Sequence, residues 1–187
     1  MAGHAHIEHG GNKRTALLIS ILALCLALVE TGANGAQTEV FTRNVESANL
    51  WSFFQARTIR QTTVRTAVEE VELDRRAETD GAVRTAIEAQ QQAWRDTAAR
   101  WESEPETGEG RRELTQRARA AEAAREQALA RYHLFEYSAA AFQVAIVVTS
   151  SSVVVGVPLL AGGGALLGIV GLALGALGWL APGAVHL

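Results

Sequence analysis

The sequence predicts an all-α protein with three transmembrane helices and a helical-hairpin extramembrane domain between the first and second. Three observations predict it. Residues 15–29 and 137–187 contain no Lys, Arg, Asp or Glu, and most of the 17 basic and 20 acidic residues lie between them. That charged middle is made of helix-forming residues with a single proline, Pro105. Strand-like alternation is scarce, and turn residues gather at a few points only. A net charge of −3 and 48% hydrophobic residues over 187 positions would describe an ordinary soluble domain, so the averages conceal the division.

Residues 1–14 read as a polar, His-rich tail. In GHAHIEHGG, His4, His6 and His9 stand beside Glu8, a set of donors that transition metals accept. A tail must be ordered by its metal, however, and no second ligand cluster occurs in the chain. The plainer reading is a polar tail without metal, and His133 and His186 read as surface or interface positions.

The first apolar segment, TALLISILALCLALV at 15–29, follows Lys13 and Arg14 and precedes TGANGAQ. Two readings fit it. One is a secretory signal with small residues at a cleavage site; the other is a retained transmembrane helix over 15–36, with Glu30 at the interface. The lone cysteine, Cys25, lies inside this segment, which leaves no partner for an intramolecular disulfide.

Residues 37–80 form an amphipathic helical segment. Trp51, Phe54, Arg57, Arg60 and Arg65 combine aromatics with arginine as interfacial helices do, which makes them a candidate partner or lipid surface. Core packing against the following hairpin explains the aromatics equally well. Over 81–136 the pattern predicts an antiparallel helical hairpin with its turn at SEPETGEG, 103–110. Ile87, Trp94 and Trp101 recur at steps of seven, as do Leu114, Ala121, Ala128 and Phe135. Folded about the turn, Trp101 would face Leu114, Trp94 would face Ala121, Ile87 would face Ala128 and Val83 would face Tyr132. Reach then limits the segment before it. A straight helix from Thr38 to Trp101 would rise about 95 Å at 1.5 Å per residue, while 111–136 descends only about 38 Å. Residues 38–79 must therefore lie along the surface, fold back, or pack on another subunit.

Residues 137–157 and 159–181 are each long enough to cross a bilayer, and Pro158 separates them. A short tail, 182–187, follows. Tyr132, Phe135 and Tyr137 mark the entry of this pair and Trp179 its exit. Gly164, Gly168, Gly171, Gly175 and Gly178 follow at steps of 4, 3, 4 and 3, on one stripe of the third span. The second span has Ala141, Ala145, Thr149, Ser152 and Gly156 at similar spacing, and the first has Ala16, Ser20, Ala23 and Ala27. Small faces of this kind let helix backbones approach inside lipid, either within the chain or between subunits. A cleaved signal peptide has no use for one.

Chemistry is harder to find. No nucleophile motif, P-loop or nucleotide-binding glycine fingerprint is present, and no convergent acid–base set can be named, so the sequence reads as a non-enzyme with no cofactor. Glu30 and Glu136 only border the spans, which argues against coupled transport and leaves a passive channel or transport-accessory subunit as the alternative function. The expected partners are membrane lipid and either a second copy or other membrane proteins, with no nucleic acid and no small-molecule substrate. Lys13 and Arg14 favour a cytoplasmic N-terminus and a middle region outside the cytoplasm.

The segment ANGAQTEVFTRNVESANLWSFFQARTIRQTT at 33–63 follows an N-terminal span and precedes a charged helical region and a Gly-rich double span. In this the chain resembles a bacterial membrane-protein family known as domain of unknown function 4337, most strongly over 48–62. The resemblance implies a retained first span and a bacterial inner-membrane location. It implies no activity, cofactor or catalytic residue.

Overall fold

A computed structural model describes residues 9–184. Among them there are four α-helices, a closing 3-10 turn at Pro182–Ala184 and no strand. Helix α1 is His9–Ala77, α2 is Gly81–Glu102, α3 is Arg111–Val155 and α4 is Pro158–Leu180. Three of these are long and apolar enough to cross a membrane. The chain divides into two compact units, one comprising the chain up to Phe41 and from Arg125 onward, the other Thr42–Ala124.

The breaks follow from local chemistry. No proline interrupts 9–77, so α1 continues from its apolar start into its charged end without a stop. It ends where Glu78 turns its carboxylate onto the backbone N–H groups of Thr79 and Asp80, at 2.7 and 2.8 Å. These two bonds hold the Glu78 carboxyl below its ordinary value. Asp80 then caps α2, accepting from the N–H groups of Ala82 and Val83. At the next break Gly108 adopts φ 68°, which side chains rarely take. Pro158 opens α4 two residues after Gly156, whose φ is 72°.

In the Thr42–Ala124 unit, both α2 and α3 run antiparallel to α1. For α2 the matched positions are Gln61 with Ala98, Val68 with Gln91, and Arg75 with Glu88. For α3 and the residues leading into it they are Arg57 with Glu109, Thr58 with Arg111, and Trp51 with Glu122. Helices α2 and α3 therefore point the same way, in tandem along α1. This corrects the expected hairpin of α2 on α3. The reversal is at 78–80, and 103–110 joins two helices end to end. Lengths agree: at 1.5 Å per residue, 42–77 spans about 54 Å, and α2 with 111–124 spans about the same. Of the expected amphipathic helical segment at 37–80, residues 37–77 continue α1, and the chain folds back after them, one of the three arrangements that reach allowed.

The other unit packs α1, α3 and α4. Its core is Leu22, Val29, Ala36, Phe135, Phe142 and Ala145, joined by half-buried Leu18, Cys25, Leu26 and Leu167 among others. Large apolar side chains such as Leu17, Leu24, Val147, Leu166 and Ile169 point outward. Water disfavours such a surface, whereas hydrocarbon accepts it.

Candidate functional site

The buried residues of α4 are five glycines, Gly164, Gly168, Gly171, Gly175 and Gly178. What meets them explains why they are glycine. A Cβ at Gly171 would lie 3.2 Å from the Phe142 ring, and one at Gly178 would lie 2.9 Å from Phe135. At Gly175 it would press on Ser138 and Val29, at Gly168 on Leu22, and at Gly164 on Thr149. Helix α4 thus receives two rings from α3 and two aliphatic side chains from α1. Ser138, fully buried, donates to the Gly171 carbonyl at 2.6 Å, a backbone approach that a side chain at position 171 would push apart.

The small face of α3 shares in this contact. Ala145, Thr149 and Ser152 are buried and Ala141 is half-buried, while Gly156 is exposed in the turn. Buried Thr149 returns its hydroxyl to the Ala145 carbonyl at 2.7 Å. On α1 the arrangement is different. Ala16, Ser20, Ala23 and Ala27 are all exposed, because α1 turns Leu22, Val29 and Ala36 to its neighbours instead. The small face of the first span, expected to pack either within the chain or between subunits, is not the face that α1 buries within the chain.

Two hollows flank α1 near the ends of these apolar stretches. One, of about 420 Å³, is lined by polar groups that include Glu30, Asn34, Gln37, Glu136 and Gln143. The other, of about 390 Å³, lies over Gly32 and Gly35, with Phe135, Trp179, Arg131 and Glu39 among its walls. Arg131 donates to Glu39 at 3.1 Å.

In the Thr42–Ala124 unit a polar seam joins the helices. Gln61 is buried. Its amide donates to the Ala98 carbonyl at 2.9 Å and to Glu102 at 3.1 Å, and it accepts from Arg111 at 2.8 Å. Glu102 is held below the usual carboxylate range, first by the Gln61 N–H and also by Arg111 and Arg112. Glu113 is lowered in the same direction by the Ser103 hydroxyl. Further along, the guanidinium groups of Arg75 and Arg76 bring Glu72 down to about 2.

Of the candidate partner or lipid surface, three members turn inward. The Trp51 Nε1–H donates to Glu122 at 2.7 Å. Phe54 meets Trp51 edge to face and carries the Arg111 guanidinium 5.1 Å above its ring. Arg57 donates to Glu109 at 2.7 Å and sits 3.8 Å from Glu104. Only Arg60 and Arg65 of the five are exposed. Trp51 and Phe54 pack on the core of the unit, Leu50, Leu114, Ala118 and Ala121.

His4 and His6 lie outside the described residues; His9 is the first residue of α1. Among the described residues, no three His, Cys, Asp or Glu side chains gather as a metal site. Gln61, Gln91 and Arg111 are the organising polar residues that sequence reasoning passed over. A signal existed: Phe54, Gln61, Val68 and Arg75 recur at steps of seven.

The family model described as a domain of unknown function (DUF4337) matches residues 11–181. Neither a curated protein nor a solved structure matches the chain.

Proposed function

The chain belongs to the DUF4337 family, and from that premise we propose that it is an integral protein of the bacterial inner membrane with a structural, scaffolding or assembly role. In this reading it catalyses no reaction. The N-terminus is cytoplasmic and the Thr42–Ala124 unit periplasmic, as Lys13 and Arg14 beside the first span favour. One observation carries the role. The glycine face of α4 is consumed against Phe135, Ser138, Phe142 and Thr149 of α3 and Leu22 and Val29 of α1, whereas Ala16, Ser20, Ala23 and Ala27 on α1 remain open. An open small face on a membrane helix supports close approach by a second helix from another copy. Ala23→Cys in a Cys25→Ser background should give crosslinked dimers in native membranes. Monomers alone under conditions that crosslink a control pair would sink the oligomer.

The hollow bearing Glu30, Asn34, Gln37, Glu136 and Gln143 favours a second reading, a passive channel or transport-accessory subunit. Purified protein that produces no conductance or flux in liposomes removes it.

A further inference from the structure

Gly35 poses a problem that the packing does not answer. A glycine inside a helix costs about 1 kcal/mol relative to alanine. The five buried glycines of α4 offset that cost through close contacts, and so does Gly32, where a Cβ would lie 3.1 Å from the Phe135 ring. Over Gly35 no atom of another helix lies within 4 Å of where a Cβ would be. The space it leaves is the floor of the hollow of about 390 Å³.

The walls of this hollow change character from one end to the other. Trp179, whose ring meets the buried Phe135 edge to face at 5.7 Å, supplies an apolar surface. Trp179 is one residue from the end of α4 and is 65% exposed, the position and exposure of a tryptophan at a membrane interface. One helical turn beyond Phe135, Arg131 pairs with Glu39 at 3.1 Å, with the two side chains 35% and 40% exposed. The guanidinium has five donors, and this bond occupies one of them. The polar end therefore offers a cation and an anion side by side, with capacity to spare on each.

We propose that this hollow is a binding site for the headgroup of a zwitterionic phospholipid. The phosphate lies on Arg131 and the ammonium on Glu39, and the upper acyl chain runs over Gly35 against Trp179. A volume of about 390 Å³ suits a headgroup and the first part of a chain rather than a whole lipid. Because the pair carries no net charge, it selects a zwitterion. An anionic headgroup without an ammonium would set its phosphate against Glu39. The inference rests on the membrane reading above, since it requires the hollow to lie at headgroup depth.

The test is native mass spectrometry of the full-length protein released from nanodiscs containing equal phosphatidylethanolamine and phosphatidylglycerol. Wild type should retain one phosphatidylethanolamine per chain, about fivefold over phosphatidylglycerol. Gly35→Leu fills the hollow while improving helix propensity, so it should fold and lose the bound lipid. Glu39→Gln, which leaves a net positive site, should shift retention toward phosphatidylglycerol, an effect that loss of packing alone would not produce. Equal retention of the two lipids, or a Gly35→Leu protein that still holds phosphatidylethanolamine, overturns the proposal. So does displacement of the lipid by soluble glycerophosphoethanolamine at matched concentration, which would identify a soluble phosphoester as the occupant. So does a second copy of the chain in place of lipid. Alkaline extraction of wild-type membranes separates the two failures: a protein that stays in the pellet but shows no lipid preference loses only this proposal.

Discussion

Gly171 and Gly162 stand nine residues apart in α4 and have opposite surroundings. At Gly171 the Phe142 ring fills the space of a side chain, and at Gly162 nothing lies within 4 Å. Replacing Gly171 with leucine forces the ring and the Ser138 hydrogen bond aside, at about 1–3 kcal/mol. Gly162→Ala, by contrast, reduces the freedom of the unfolded chain and should stabilise by up to about 1 kcal/mol. Thermal unfolding in detergent should move down for the first and not for the second; equal shifts would contradict the packing. Gln61 is the corresponding position in the Thr42–Ala124 unit. It bridges the Ala98 carbonyl, Glu102 and Arg111, so Gln61→Ala removes three hydrogen bonds, two of them to half-buried charged groups, and should cost about 1–3 kcal/mol. Denaturation of the full chain reads this directly, and a neutral Gln61→Ala would show that water replaces the amide at no cost.

Among the elements, α2 carries the most informative difference between pattern and structure. Its stripe of Ile87, Trp94 and Trp101 was legible, and lies on the face that also presents buried Gln91 and Ala98. The partner of that face was not legible. Periodicity states which side of a helix is buried, but an alanine-rich helix accepts a large residue from any neighbour. Leu114 and Ala121 were expected to face Trp101 and Trp94 of α2, yet Leu50, Trp51 and Phe54 of α1 occupy that region. Spin labels at the exposed positions Arg95 and Ala120 distinguish the arrangements. In tandem helices they stand more than about 24 Å apart by helical rise alone, whereas a hairpin would bring them within about 10 Å of each other.

The end of α1 adds a pH dependence. Glu72 titrates at about 2 in the folded chain, against an ordinary 4.5, because Arg75 and Arg76 favour its charged form. A lowered folded value means that the contribution is present above pH 4.5 and fades as pH falls toward 2. The pair is solvated and screened, so the effect is a slope rather than a collapse. Glu72→Gln should flatten the melting temperature of the full chain across that window, and an unchanged slope would remove the assignment.

Across the whole molecule, two units of opposite chemistry share α1 and α3. One presents leucine, valine and isoleucine outward and keeps glycine, serine and threonine inside. The other places arginine and glutamate around a narrow core of leucine, alanine and aromatics. The contrast implies two solvents for one chain. A reporter inserted within the turn at 104–110, where Pro105, Glu106 and Thr107 are exposed, should show activity on the periplasmic side. Activity on the cytoplasmic side would invert the proposed orientation.

The three apolar segments, the breaks near Gly81, Gly108 and Pro158, and the glycine stripe of α4 were determined by sequence alone. Each depends on interactions within about one or two turns: hydropathy, capping and the spacing of small residues. Tertiary structure decided that α1 continues to Ala77, that α2 lies on α1 rather than on α3, and that Trp51 and Arg57 face inward. It also decided which small-residue face stays open and that Gly35 lacks a neighbour from another helix. Those outcomes depend on pairing between residues far apart in the chain, where several helices offer complementary faces and their joint packing determines the arrangement.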